Sequence, residues 1–267
     1  ITMKLILSDP DKISQFAAIF QNLKAFSEHV VLYLSEEGLY MQGMESSHCS
    51  CFESRLTFDW FNDFEYNKEN DVPSLGVNTY VLQRIIGTRR DGQTIELETD
   101  SNGDTLKISF TGEKEAGANC LNKYFEIPIM DIEEQLMELG GSESEVDLVM
   151  PSKKFCELIT QLQIFDDKLS LTFTEETVAF LSSGSEGSMK VNVSFDDVVE
   201  YAVAEDTTLK QSYSLKFISM MCLFSKLNDE FTMAFSNNRP MEGRYKLDGE
   251  SYVKFYLAPR VDDDDEY

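Results

Sequence analysis

Apolar side chains recur at three- and four-residue spacing in four stretches, which predicts helices over 12–26, 79–90, 152–165 and 209–228. In the first, Phe16, Ile19, Phe20, Leu23 and Phe26 make one stripe; in the third, Phe155, Leu158, Ile159, Leu162 and Phe165 do. Pro10-Asp11 at the first and Pro151-Ser152 at the third are suitable helix starts. Elsewhere the pattern shifts to alternation and β-rich runs. These predict strands over 31–34, 39–41, 51–58, 94–99, 105–110, 169–173, 178–181, 189–195, 231–235 and 251–257. Glu37-Gly38, Asn102-Gly103 and Asp248-Gly249 supply turns between them.

The same pattern occurs twice. Shifted by 139 residues, Phe16 falls on Phe155, Phe20 on Ile159, Leu23 on Leu162, Leu32 on Leu171 and Leu39 on Val178. Further on, Leu82 falls on Met220 and Ile86 on Phe224; then Ile95, Leu97 and Thr99 fall on Phe231, Met233 and Phe235. So long a period marks a duplicated domain rather than a solenoid unit. Each half is strands plus two helices, an α+β arrangement of antiparallel sheet. The predicted division is 1–118 for the first domain, 119–144 for a connector and 145–267 for the second domain with its acidic tail. Ile127, Ile129, Met130, Ile132, Leu136 and Leu139 make the connector too apolar for a plain linker, so it must lie back on a domain.

At 267 residues and 42% hydrophobic, the chain can bury two cores, and no apolar run approaches a membrane span. Five cysteines without C-x-x-C spacing fit reduced core thiols better than zinc or disulfides. The net charge of −25 argues, as a sum, against nucleic acid. Its distribution argues the other way. The four helical windows hold ten basic residues (Lys12, Lys24, Arg84, Arg89, Arg90, Lys153, Lys154, Lys210, Lys216 and Lys226) and one acid, Glu157. They carry +9 and leave −34 for the remainder of the chain. Helix propensity alone would favour Glu as much as Lys, so a functional basic surface on the helices is the better account.

Catalytic chemistry is hard to find. His48 beside Ser46, Ser47 and Cys49 suggests a nucleophilic pair, but the second half has no counterpart. His48, Cys49 and Cys51 match no zinc spacing, and Gly184-Ser185-Glu186-Gly187 lacks the Gly-Lys-Ser/Thr of a phosphate loop and fits a hairpin turn. The expectation is no enzyme, no cofactor and no metal.

Leu39-Tyr40-Met41-Gln42-Gly43-Met44-Glu45-Ser46-Ser47-His48 closely resembles the proliferating cell nuclear antigen family of eukaryotic-type DNA sliding clamps. Leu75-Gly76-Val77-Asn78, Asp104-Thr105-Leu106, Met130-Asp131-Ile132 and Tyr256-Leu257-Ala258-Pro259 before an acidic end extend the resemblance, in order, over the whole length. It implies a head-to-tail homotrimeric ring around duplex DNA, with helices lining the hole and sheets outside. Such a clamp is a nuclear processivity factor in DNA replication and repair, engaging DNA polymerase, the clamp loader and other proteins. Lys24, Arg84, Lys153, Lys216 and Lys226 would face DNA. Partner peptides would dock under the connector on Met44, His48, Leu136, Pro240, Tyr256, Leu257, Ala258 and Pro259.

Two departures stand out: Glu157 and Thr160 occupy the third helix where members commonly carry basic residues, and Glu175 replaces a ubiquitin-accepting lysine. The alternatives are a subunit of a mixed checkpoint-type ring and an acidic peptide-binding module unrelated to DNA. Ring closure by sheet edges predicts that 105–110 of one subunit pairs with 187–194 of the next.

Overall fold

The two halves of the chain repeat each other element for element. A computed structural model describes residues 3–67, 74–99, 104–112, 121–132, 136–140 and 143–261. The first half runs β1 (Met3–Leu7), α1 (Pro10–Asn22), a 3-10 turn (Leu23–Ala25), β2 (His29–Ser35), β3 (Gly38–Met44), β4 (Ser50–Thr57) and a second 3-10 turn (Phe58–Trp60). It continues through β5 (Asp63–Tyr66), β6 (Ser74–Asn78), α2 (Thr79–Ile86), β7 (Thr94–Thr99), β8 (Thr105–Thr111) and β9 (Lys123–Pro128). The second half runs β10 (Val146–Pro151), α3 (Ser152–Leu162), β11 (Lys168–Thr174), β12 (Thr177–Gly184), β13 (Gly187–Asn192) and a 3-10 turn (Phe195–Asp197). It continues through β14 (Glu200–Val203), β15 (Leu209–Ser214), α4 (Leu215–Cys222), β16 (Glu230–Phe235), β17 (Met241–Lys246) and β18 (Tyr252–Leu257).

Pairing repeats as well. In the first half the order is β5-β1-β7-β8-β9, and β6-β2-β3-β4 forms the second set. In the second half the orders are β14-β10-β16-β17-β18 and β15-β11-β12-β13. Register agrees with the duplication: Leu5 opposes Leu97 and Leu148 opposes Met233, and sequence alone places Leu97 on Met233. The chain forms two compact units. Unit 1 is Ile1–Ser46, Glu53–Met137 and Lys246–Val253; unit 2 is Ser47–Phe52, Glu138–Tyr245 and Lys254–Tyr267.

Each unit has its own core beneath a helix pair. In unit 1, α1 packs on α2 and buries Phe16, Ile19 and Phe20, with Phe16 and Phe20 rings 4.3 Å apart. In unit 2, α3 packs on α4; Phe155 stacks 5.1 Å from Phe231, which lies 4.6 Å from Tyr245. Asp9 caps α1 by accepting from the Asp11 and Lys12 amides, and Asn78 caps α2 by accepting from Val81. α4 borrows its cap from a distant loop: Asp167 accepts from the Lys216 amide (2.8 Å) and the Ser214 hydroxyl (2.7 Å).

Three expectations change. Residues 209–228 are not one helix, because 209–214 form β15, laddered to β11 from Leu209↔Phe173 to Ser214↔Lys168. Lys210 therefore stands on a strand, and Lys226 in the turn beyond α4. Residues 123–128, assigned to the connector, are the fifth strand of a unit 1 sheet. As a result, β8 is flanked by β7 and β9 and offers no free edge, so the pairing of 105–110 with a neighbouring subunit is ruled out. At that end of the unit 1 sheet the outer strand is β9, and β13 ends a sheet of unit 2. Gly184-Ser185-Glu186-Gly187 is the turn of the β12–β13 hairpin, with Gly187 at φ 147. Gly103 and the acidic 262–267 fall outside the described residues.

Candidate nucleic-acid interface and partner surface

The helix pairs set out most of the basic residues singled out by sequence. In unit 1, Lys24 lies in the 3-10 turn closing α1 and Arg84 in the last turn of α2; that 3-10 turn packs on α2. In unit 2, Lys153 lies in the first turn of α3, Lys216 in the first turn of α4 and Lys226 just past α4. All five are exposed and, among the described residues, none has an ion-pair partner. Lys154 and Arg89 differ: Lys154 pairs with Asp197 at 2.7 Å, and Arg89 with Asp91 at 3.5 Å. Counting only helical and 3-10 residues of the two pairs, Asp11 and Glu157 offset Lys12, Lys24, Arg84, Lys153, Lys154 and Lys216. The excess is smaller than the sequence windows give, yet it keeps its sign. Lys216 lies over the Phe217 ring at 5.3 Å, and exposed cations without ion pairs suit phosphate contacts, which need charge and reach rather than shaped pockets.

Glu157 and Thr160 are exposed on α3, and the Thr160 hydroxyl donates back to the Cys156 carbonyl at 2.9 Å. Glu175 accepts from the Asp206 amide at 3.1 Å, so its loop is tied by a carboxylate.

The connector lies back on unit 1, as its apolar content requires. The Met130 amide donates to the Gly76 carbonyl at 2.8 Å, and the Ile129 amide to Asp104 at 3.0 Å. The close approach at β6 depends on Gly76. A Cβ there would sit 2.3 Å from the Met130 oxygen and 2.8 Å from the Ile132 side chain. Gly76→Ala should therefore push the segment off β6, at about 1–3 kcal/mol of overpacking. The expected result is faster hydrogen exchange at the Met130 amide, with the α1 amides unchanged; unchanged exchange at Met130 would refute it.

Further along, Gln42 on β3 grips the Met137 backbone from both sides. Its Nε2 donates to the Met137 carbonyl (3.0 Å), and its Oε1 accepts the Met137 amide (2.9 Å). The same Nε2 reaches the Tyr40 hydroxyl at 2.6 Å, and that hydroxyl donates to Glu53 Oε2 at 2.9 Å. Burial, the largest influence, pushes the Tyr40 hydroxyl above the usual phenol range, so it remains a donor. Sequence reasoning missed this trio, because nothing in a chain marks a glutamine as the partner of a backbone 95 residues away.

The candidate partner residues divide between the units. In unit 1, Met44 is half-buried at the end of β3 and Leu136 is exposed at 52%, an unusual state for leucine. In unit 2, His48 is exposed in a turn at φ 61, Pro240 is exposed, and Tyr256 and Pro259 are half-buried. The exposed Ala258 donates its amide to the Cys49 carbonyl at 2.9 Å. Leu257 is buried at 1% and belongs to the unit 2 core. No group of three or more His, Cys, Asp or Glu side chains among the described residues could hold a metal ion.

A duplicated α+β unit with a net-cationic helix pair in each copy defines a DNA-clamp type of protein. The sequence comparisons make this specific. The description "Proliferating cell nuclear antigen, N-terminal domain" matches residues 11–136, and its C-terminal counterpart matches residues 140–260. The chain belongs to the proliferating cell nuclear antigen family and is a sliding clamp. It is 22% identical over 248 residues to proliferating cell nuclear antigen 2 of Drosophila melanogaster, covering 92% of this chain and 94% of that one. It is 24% identical over 258 residues to proliferating cell nuclear antigen 2 of Plasmodium falciparum (93% and 96%). It is 24% identical over 238 residues to proliferating cell nuclear antigen of Chaetomium thermophilum (86% and 88%).

Proposed function

We propose that three copies of this chain close head to tail around duplex DNA, and that the ring tethers DNA polymerase, a clamp loader and repair proteins to it in the nucleus. The observation that carries this reading is the repetition of element order, which ends a sheet of unit 1 on β9 and a sheet of unit 2 on β13. Two different edges on one chain are what a closed heterologous ring requires. The domain division proposed for this assembly carries the first domain through β9, leaves 129–144 as the connector and gives 145–267 to the second domain. The protein acts by tethering and performs no chemistry of its own.

Lys24, Arg84, Lys153, Lys216 and Lys226 contact phosphates and read no bases. Leu136, Met44 and the connector held by Gln42 receive aromatic and aliphatic anchors of partner peptides. On unit 2, His48, Pro240, Tyr256, Ala258 and Pro259 are candidate partner-peptide contacts in their own right, with Leu257 behind them in that unit's core. A side chain such as Met44 repacks easily around different partners.

Light scattering coupled to gel filtration tests the assembly, which should have three times the chain mass of 30.5 kDa. A monomer at micromolar concentration would favour a subunit of a mixed ring instead. The DNA contacts are tested by Lys24→Glu, Arg84→Glu and Lys226→Glu. Each should weaken retention on circular duplex DNA for every sequence alike and flatten the salt dependence by about 0.9 in log–log slope for each phosphate no longer neutralised. Weakening confined to particular sequences would overturn this assignment.

A further inference from the structure

Cys156 on α3 and Cys222 on α4 meet where the two helices of unit 2 pack together. The Cys156 thiol donates to the Cys222 carbonyl at 3.9 Å, and both residues are partly accessible. Cys156 also lines a surface concavity of about 650 Å³, together with Pro151, Lys153, Glu157, Ser225 and Asp229. A small solute can therefore reach its sulfur from the helix side. We propose that Cys156 and Cys222 form an oxidisable dithiol, in which Cys156 takes a peroxide-class oxidant and Cys222 closes an intrachain disulfide.

The surroundings assign the two roles. As a thiolate, Cys156 accepts from the Cys222 thiol, and this holds it below the usual thiol range against the opposing effect of burial; Ser225 and Tyr245 add further hydrogen bonds. Cys222 is pushed above that range, chiefly by the proton it holds for Cys156 and then by burial. Cys156, which lines the concavity while Cys222 does not, is thus the nucleophile and Cys222 the reserve.

The chemistry balances in two steps. The Cys156 thiolate attacks one oxygen of hydrogen peroxide, the O–O bond breaks, and Cys156 sulfenic acid and hydroxide result. Sulfur loses two electrons to the peroxide. The sulfenic acid no longer carries the negative charge that held the Cys222 proton. The Cys222 sulfur then attacks the Cys156 sulfur, the S–O bond breaks, and the Cys222 proton leaves with the oxygen as water. The product is a covalent link between α3 and α4, on the helix pair that also carries Lys153 and Lys216.

The test treats the full-length reduced protein with hydrogen peroxide, caps remaining thiols and maps peptides without reduction. The expected product is a linked Cys156–Cys222 peptide within one chain, with loss of two hydrogen masses that a thiol reductant restores. Cys222→Ser should instead accumulate Cys156 sulfenic acid, trapped by dimedone, and Cys156→Ser should leave Cys222 reduced. The exposed Cys49 is the internal comparison and should react after Cys156. Oxidation at Cys49 with Cys156 still reduced would overturn the proposal. So would a Cys156 that oxidises in the native protein without linking to Cys222. The wild-type map decides the question even if a variant folds poorly.

Discussion

Glu126→Pro or Lys190→Pro should convert the assembly from three times 30.5 kDa to single chains while leaving each chain folded. Ladder parity sets this outcome. The Ile129 amide donates to Asp104 at 3.0 Å, which places the hydrogen-bonded pairs of β8 and β9 at Leu106–Ile127 and Ile108–Phe125. The amides of Tyr124 and Glu126 then point away from β8, towards the outer edge of the sheet. Pro128, which has no amide to offer, occupies the next position of that outward set, where a proline is tolerated.

On β13, the two-residue turn closes on the pair Gly184–Gly187, so Met189 and Val191 bond inward to β12 and the amides of Ser188 and Lys190 point outward. Proline at 126 or 190 therefore removes a donor from the edge and spares the strand's own sheet. Tyr124 at 71% and Leu121 at 78% exposure leave apolar surface beside the β9 edge that a neighbouring strand would cover. Trimers that survive both substitutions, measured by light scattering across micromolar dilution, would reject this pairing of edges.

The edge strand shows where sequence reading fails. Residues 123–128 alternate Tyr124 and Glu126 with Phe125 and Ile127, a strand signal, but they lie in a stretch whose polar start suggests a linker. Only the ladder to β8 decides between the two. Residues 209–214 fail for a different reason. Leu209, Tyr213 and Phe217 are four apart, a spacing that suits one helix face and one strand face equally. Pairing with β11 settles it as strand.

The stripes Phe16, Ile19, Phe20 and Phe155, Leu158, Ile159 were legible because only a helix brings three- and four-residue spacings together on one face. The duplication was legible because the core positions repeat in type as well as in spacing. Of the candidate surfaces, the placement of five exposed cations on or just beyond the helix pairs was readable, since Lys24, Arg84, Lys153, Lys216 and Lys226 stand out in so acidic a chain. The Gln42 grip and the Cys156–Cys222 contact were not, because each joins polar groups far apart in sequence that carry no period.

The grip on Met137 leads to the second large effect. Leu136→Ser should cost on the order of 2 kcal/mol or more of partner-peptide affinity, the scale of truncating a central apolar anchor. Leu136 is half-exposed and lies outside the unit 1 core, so trimer mass and melting temperature should hardly change. A positioning effect on the same affinity should come from Gln42, which supplies both a donor and an acceptor to Met137, the next residue. Gln42→Ala removes both bonds and leaves the anchor in place but unfixed. It should therefore weaken the same peptides, mainly by faster dissociation, and speed hydrogen exchange at the Met137 amide. Leu136→Ser should leave that exchange rate unchanged. Tyr40→Phe keeps the ring and deletes the hydroxyl bridging Gln42 to Glu53, so its effect should be intermediate. Calorimetric titration of an aromatic-anchored clamp-binding peptide against the three variants checks the order. If Leu136→Ser bound such peptides as tightly as the parent, the connector would not be a wall of the partner surface. If it also dissolved the trimer, Leu136 would belong to the assembly rather than to partner binding.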